Sequence, residues 1–143
     1  MSYDLKLNNG DIPLTSSGTP EIVRDENKLT QDVLKMLFTP TGESKIHPWY
    51  GTPLLSRVIG NSFDLEILTS EVQSSVEYGI NNLSTLQQLQ QQDNQFLTPR
   101  EQISEIKNIF VELDPDDPRK MIVRIEIISK SNNLITESIV VAV

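Results

Sequence analysis

The part of the chain that decides the fold is residues 108–143, which read NIFVELDPDDPRKMIVRIEIISKSNNLITESIVVAV. Three runs rich in Ile and Val are separated by two stretches of turn residues, DPDDP and SNN. Alternation of apolar and polar side chains is typical of strands, which we predict at Ile109–Leu113, Met121–Ile128 and Leu134–Val143. Short turns join consecutive strands antiparallel, so the sequence predicts a C-terminal three-stranded antiparallel meander.

A long amphipathic helix is predicted before the meander, from about Asp64 to Gln92. Apolar residues recur there every three or four positions, which places them on one face of a helix. They are Leu65, Leu68, Val72, Val76, Ile80, Leu83 and Leu86. The glutamine-rich residues 87–95 predict a frayed helix end rather than a specific contact.

The N-terminal part predicts short strands followed by helices. Residues 3–7 alternate between apolar and polar, as in a short strand, and residues 12–14 suggest a second extended piece. Residues 25–38 have helical spacing and end at a Thr-Pro pair, and residues 53–59 predict a short helix. This segregated order predicts an α+β fold with two or three helices, in one domain covering residues 1–143.

Composition excludes several classes of function. The chain has 143 residues, no cysteine, one histidine and a formal net charge of −8. Thiol chemistry is therefore absent, and a metal site with several histidines cannot form within one copy. The acidic balance argues against nucleic acid as a partner, and no apolar run approaches the roughly 20 residues that span a membrane. Residues 61–98 hold five acids and no Lys or Arg, which suits either a solvated face or a basic partner.

No residue is assigned a catalytic role, and no cofactor or metal is expected. His47 lacks a Gly-x-Ser-x-Gly elbow or another sign of a nucleophile beside it. Pairs of carboxylates, as glycosidases use, arise by chance among twenty acids. The residues DPDDP fit a hairpin turn better than a calcium loop, which requires more ligands and a glycine.

Two features of the sequence point to protein partners instead. Ile139–Val143 is an apolar run without proline or charge, so as an edge strand it would be an open template for another strand. The pattern equally allows a central strand that is paired on both sides. The loop His47-Pro48-Trp49-Tyr50-Gly51 suits an interface anchor, and the alternative is that Trp49 fills the core between helices.

Taken in order, these segments resemble the sheath-initiator proteins of contractile phage tails, a baseplate wedge family with counterparts in type VI secretion. The resemblance is carried by KLTQDVLKMLFTPTG at residues 28–42 and HPWYGTPLL at residues 47–55. A short helix, a long helix and a Pro-Arg turn follow in the order of that family. The family carries Glu-Pro-Arg after its long helix, whereas this chain reads Thr98-Pro99-Arg100. Whether Glu101 replaces the missing glutamate stays open.

The resemblance implies structural work in the baseplate of a virion tail, assembled in the host cytoplasm, rather than catalysis. Members of the family lie around the tail tube in a six-fold arrangement and contact the wedge core. They present a sheet that the first ring of sheath subunits extends by β-strand addition. The implied partners are therefore tail sheath subunits, wedge core proteins and the tail tube or hub.

Nine residues are expected to contact these partners. They are Pro99, Arg100, His47, Trp49, Tyr50, Ile135, Ile139, Val141 and Val143. Some members of the family have been described as lysozyme-like. The alternative function is therefore a peptidoglycan-degrading glycosidase of the tail.

Overall fold

The described part of the chain, residues 2–60 and 64–143 of a computed structural model, begins with two very short strands. β1 (Asp4–Leu5) pairs antiparallel with β2 (Ile22–Val23). A tight turn lies between them, in which Asn9 and Gly10 have φ angles of 51° and 83°. Positive φ at both central positions is what an Asn-Gly turn of this kind requires.

The short N-terminal strands were predicted, but one of them lies elsewhere in the sequence. Residues 12–14 contribute only an isolated bridge, between Leu14 and Pro20. The true partner of β1 is β2, which has only two residues. A strand of that length has no period that a sequence pattern can reveal.

Three helices follow, as the apolar spacing predicted. They are α1 (Asp25–Phe38), α2 (Leu54–Val58) and α3 (Leu65–Gln92). α1 ends at Phe38, because the next residue, Thr39, has an extended backbone before Pro40. α3 ends at Gln92, as predicted, but the glutamine-rich residues do make specific contacts, since the side chain of Gln87 is buried.

The polar side of α1 is less exposed than its sequence suggests. Gln31 is buried because it binds the N-terminal segment: it donates to Leu5 O at 2.8 Å and accepts from Leu7 N at 2.8 Å. Lys28 is buried beside Asp32, with 2.6 Å between the charged atoms. The Gln31 contacts fix the N-terminal segment on α1, whereas the Lys28–Asp32 pair lies within the helix.

The C-terminal sheet is the predicted meander, with strand order β3-β4-β5. Its strands are β3 (Ile103–Leu113), β4 (Lys120–Ser129) and β5 (Leu134–Ala142), all paired antiparallel. β3 begins well before the predicted start at Ile109. Two register shifts near its beginning interrupt the alternation of apolar and polar residues, and so hide these residues from a pattern of period two.

The core lies between one face of the sheet and the helices. Met121, Val123, Ile125 and Ile127 of β4 are buried on this face and join side chains of α1, α2 and α3 in one apolar cluster. The opposite face of β4 carries Lys120 and Arg124, which are exposed. Among the residues described, none of the helices has the length and apolar character needed to span a membrane.

Candidate functional site

The free edge of β5 is a row of backbone groups available for hydrogen bonding. Val143 N donates to Arg119 O at 2.8 Å, and the register continues without interruption from Lys120↔Ala142 to Ile128↔Leu134. Hydrogen-bonded positions alternate along an antiparallel pair, so the odd-numbered residues of β5 bond to β4. The even-numbered residues direct their N–H and C=O groups away from β4. They are Leu134, Thr136, Ser138, Val140 and Ala142.

The two borders of the sheet differ in how well they could accept another strand. Within the described ranges, neither β3 nor β5 pairs with any strand other than β4. The ladder of β3 is shifted after Ile103 and again after Ile106, and the strand holds three charged side chains. Bulges and charges are means by which edges avoid pairing. β5 has a regular ladder and a single charge, Glu137, so it is the more suitable template.

The side chains expected to contact a partner along β5 face inward. Ile135, Ile139 and Val141 are buried, and Val143 is partly buried against the same core. They therefore hold β5 in place, and it is the backbone of their even-numbered neighbours that is free. The sequence did not show whether the odd- or the even-numbered residues of β5 face the core, because an apolar run such as IVVAV has no alternation of apolar and polar residues.

A polar corner fixes the beginning of β5. Pro99–Glu101 form a short 3-10 turn, and Arg100 Nε donates to Glu26 Oε1 at 2.7 Å. Asn133, which directly precedes β5, donates to the same oxygen at 2.6 Å. Arg100 also lies 3.6 Å from Asp25 Oδ2. Arg100 is thus held by an internal ion pair, although its side chain stays 54% exposed.

Glu101 does not pair with Arg100 in the described part of the chain. It is 1% exposed, and its Oε2 accepts from Thr98 N at 2.9 Å. Its Oε1 has no hydrogen-bond partner in the part of the chain described. The acids that hold Arg100 come instead from the first turn of α1, Asp25 and Glu26.

The end of α3 is joined to this corner by buried amides. Gln87 Nε2 donates to Glu101 O at 2.8 Å, and Gln87 Oε1 accepts from Ile103 N at 2.9 Å. Gln102 Oε1 accepts from Lys130 Nζ at 2.8 Å, and this bond joins the turn between β4 and β5 to the same corner. The sequence signal for Gln87 is its position four residues after Leu83, on the buried stripe of the helix.

Charge pairing at the corner shifts two pKa values. The hydrogen bond from Arg100 lowers the pKa of the Glu26 carboxyl below its ordinary 4.5. Slight burial opposes this lowering of the pKa, and the hydrogen bond from Asn133 adds to it. The same contact raises the pKa of the Arg100 guanidinium. Both residues are therefore charged at neutral pH.

We expect Arg100→Met to flatten the dependence of the unfolding free energy on pH in acid. The folded pKa of Glu26 is depressed, so its stabilising contribution is fully present above the unfolded value of 4.5. That contribution is lost as the pH falls through the folded value. Urea unfolding from pH 6 to pH 3 measures the difference between the two proteins, and Lys45→Met, at an exposed lysine, is the control. An unchanged slope for Arg100→Met would contradict this assignment.

The aromatic loop is fixed by its backbone rather than by a tryptophan in the core. Trp49 is half-buried, its ring centroid lies 5.2 Å from that of His47, and its carbonyl accepts from Asn82 Nδ2 at 3.1 Å. Tyr50 packs against the core, and burial raises the pKa of its phenol. Gly51 has a φ of 102°, and a Cβ there would lie 2.3 Å from Thr39 O, so the turn requires glycine.

Several other charged groups in the described ranges pair with close neighbours. In a groove of about 300 Å³ between the N-terminal segment, α1 and α3, Lys28 pairs with Asp32 and Lys35 with Asp4. The carboxylates of Asp114 and Asp117 accept from backbone N–H groups two residues later, as the hairpin-turn interpretation predicted. Among the described residues, no group of three or more acids or histidines is placed to hold a metal ion.

Comparison with known proteins shows a likeness in structure but none in sequence. No protein-family model matches the chain, and no curated protein sequence matches it significantly. A crystal structure of a protein from Geobacter sulfurreducens, described as a candidate tail lysozyme, matches with a TM-score of 0.61 and 13% identity. The match covers 93% of this chain and 96% of that one. At this identity the likeness shows a shared fold and no more.

Proposed function

We propose that this chain is a structural component of the baseplate of a contractile tail. It would link the wedge core to the sheath, and its β5 edge would template the first ring of sheath subunits by strand addition. The order of motifs that resembles the sheath initiators supports this proposal. The fold that the chain shares with a protein described as a candidate tail lysozyme is consistent with it.

The observation that carries the proposal is the regular free edge of β5. Its even-numbered residues offer outward backbone groups over the whole strand, while its odd-numbered side chains are anchored in the core. A strand from a sheath subunit would bond to these groups and extend the sheet. Main-chain hydrogen bonds would give attachment, and alternate side chains would set the register.

The wedge core is proposed to bind at the corner and at the aromatic loop. Arg100 is held by α1 yet remains half exposed, so a carboxylate of a partner could share its guanidinium. Pro99 fixes the backbone beside it. His47, Trp49 and Tyr50 form a glycine-fixed loop whose rings are only partly buried, which suits an anchor in an interface.

We infer that the chain is not a glycosidase, although its structural neighbour is described as a candidate lysozyme. A glycosidase needs two carboxyl groups flanking a sugar, one of them a general acid in an apolar setting. Glu101 is the buried carboxyl of the described ranges, and its side chain is 1% exposed, so a polysaccharide has no access to it. The acids that line the two grooves beside α1 are in ion pairs: Glu21 with Lys6, Asp25 with Arg100, Asp4 with Lys35 and Asp32 with Lys28. Among the described residues, the groove beside the aromatic loop is lined by one acid, Glu43, and so does not provide a pair.

Removal of the protein from its tail system tests the proposal. We expect particles with tail tubes but without sheath, because the first sheath ring would have no template. Negative-stain electron microscopy counts sheathed tails, and expression of the intact chain in trans should restore them. Sheathed tails in its absence would contradict the template role. Clearing of a peptidoglycan suspension by the purified protein would instead favour the glycosidase.

A further inference from the structure

Glu137 is an unusual residue for the edge of this sheet. It is the one charged residue of β5, and its Cα pairs with that of Ile125, which is fully buried. Strand alternation places it on the inward side, between the buried Ile135 and Ile139. It is partly buried, and in the part of the chain that is described it makes no hydrogen bond or ion pair.

We propose that Glu137 selects the strand that completes the sheet, and that this strand carries Lys or Arg opposite it. The inference rests on the proposed function, since it requires that a strand adds to β5. It goes further by naming a chemical property of the partner. The occupant is thus a β-strand of another protein with an inward-facing basic side chain near its middle.

The hydrogen-bond parity of β5 supports this assignment. Glu137 is an odd-numbered residue whose backbone bonds to Ile125, so on the free side it would occupy a non-hydrogen-bonded pair. Side chains across such a pair approach most closely, at a Cα separation of about 4.5 Å. The residue facing Glu137 is therefore in direct contact with its carboxylate.

Covering Glu137 with a strand would also remove water from its carboxylate. A charge withdrawn from water without a partner is destabilising, whereas an opposite charge offsets much of that cost. Opposite charges directly across a sheet favour pairing, and like charges disfavour it. Lys and Arg both reach across one strand pair, so either would serve.

The same carboxylate argues against a second copy of this chain as the occupant. Two β5 strands paired antiparallel around Ser138 would place each Glu137 opposite Ile139, with no donor for the carboxylate. Shifting the pairing so that it centres on Glu137 would set the two carboxylates face to face. An inward charge of this kind keeps identical edges apart.

The test attaches the missing strand to the full chain. A short Gly-Ser linker after Val143 is followed by the strand Thr-Val-Thr-Val-Thr-X-Thr-Val-Thr, with X as Lys, Gln or Glu. When this strand runs antiparallel along Leu134–Ala142, X faces Glu137. The tether supplies a high effective concentration, so docking appears as a gain in urea stability over the chain with the linker alone.

With the native chain we expect the docking equilibrium constant to be about tenfold larger for Lys than for Glu, or about 1.4 kcal/mol, with Gln between them. With Glu137→Lys the order should reverse, which a purely structural role of Glu137 would not produce. Equal docking for all three strands would overturn selection by Glu137 and leave strand addition intact. If no tethered strand raised the urea stability, either in the native chain or in the chain with Glu137→Gln, then strand addition to β5 would be wrong.

Discussion

Val140→Pro is expected to leave the protein folded and to abolish sheath assembly. Val140 is an even-numbered residue of β5, so its N–H points away from β4 and the internal ladder does not use it. Proline is tolerated on an edge strand at such positions. The substitution removes a donor in the middle of the template and places a ring where the incoming backbone would approach. Counting of sheathed tails by electron microscopy, with circular dichroism of the purified protein, measures both effects.

Two further variants distinguish loss of the free edge of β5 from disruption of the strand itself. Val140→Thr alters the same exposed side chain but keeps the N–H, so sheaths should assemble normally. Val141→Pro removes a donor that the parity assigns to the internal ladder with Met121, and leaves a buried acceptor unpaired. That change should lower the unfolding free energy by roughly 1–3 kcal/mol. Normal sheaths on Val140→Pro tails would rule out strand addition at this edge.

Periodic segments of the sequence predicted most of the fold. The apolar stripe of α3 correctly predicted a long helix, and the turn residues between apolar runs correctly predicted the meander. Both predictions succeed because burial on one face imposes a period of 3.6 residues on a helix or 2 on a strand. The first residues of β3 were not predicted as strand, since register shifts there break the alternation by which strands are recognised in a sequence. β2 was not predicted because a strand of two residues is too short to show a periodic pattern.

The candidate site was predictable only as a set of alternatives. An apolar last strand indicated either an edge or a central position. The structure shows the edge, because among residues 2–60 and 64–143 β5 pairs with no strand except β4. The sequence placed Arg100 after a proline, but its partner Glu26 lies 74 residues away in the chain. Asn133, which donates to the same oxygen of Glu26, lies 107 residues from Glu26. Local pattern holds no information on contacts of that range, which tertiary packing alone creates.

Gln87→Leu is expected to lower the unfolding free energy by roughly 2–6 kcal/mol, since each of two buried backbone groups left without a partner costs about 1–3 kcal/mol. The Gln87 side chain is 5% exposed and satisfies two such groups, Glu101 O and Ile103 N. Leucine fills a similar volume, so the loss would report the hydrogen bonds rather than a cavity. Urea unfolding measures the change.

Neighbouring substitutions test this explanation for Gln87. Gln88→Leu, at the exposed next position of α3, should change the unfolding free energy by less than about 0.5 kcal/mol. Gln87→Glu keeps an acceptor for Ile103 N but places a carboxylate oxygen against Glu101 O, so it should destabilise as Leu does. If Gln87→Leu were as stable as the native protein, the corner would not depend on this amide. The beginning of β3 would then be held mainly by its pairing with β4, and the glutamine-rich run would be a helix end whose composition carries no structural role.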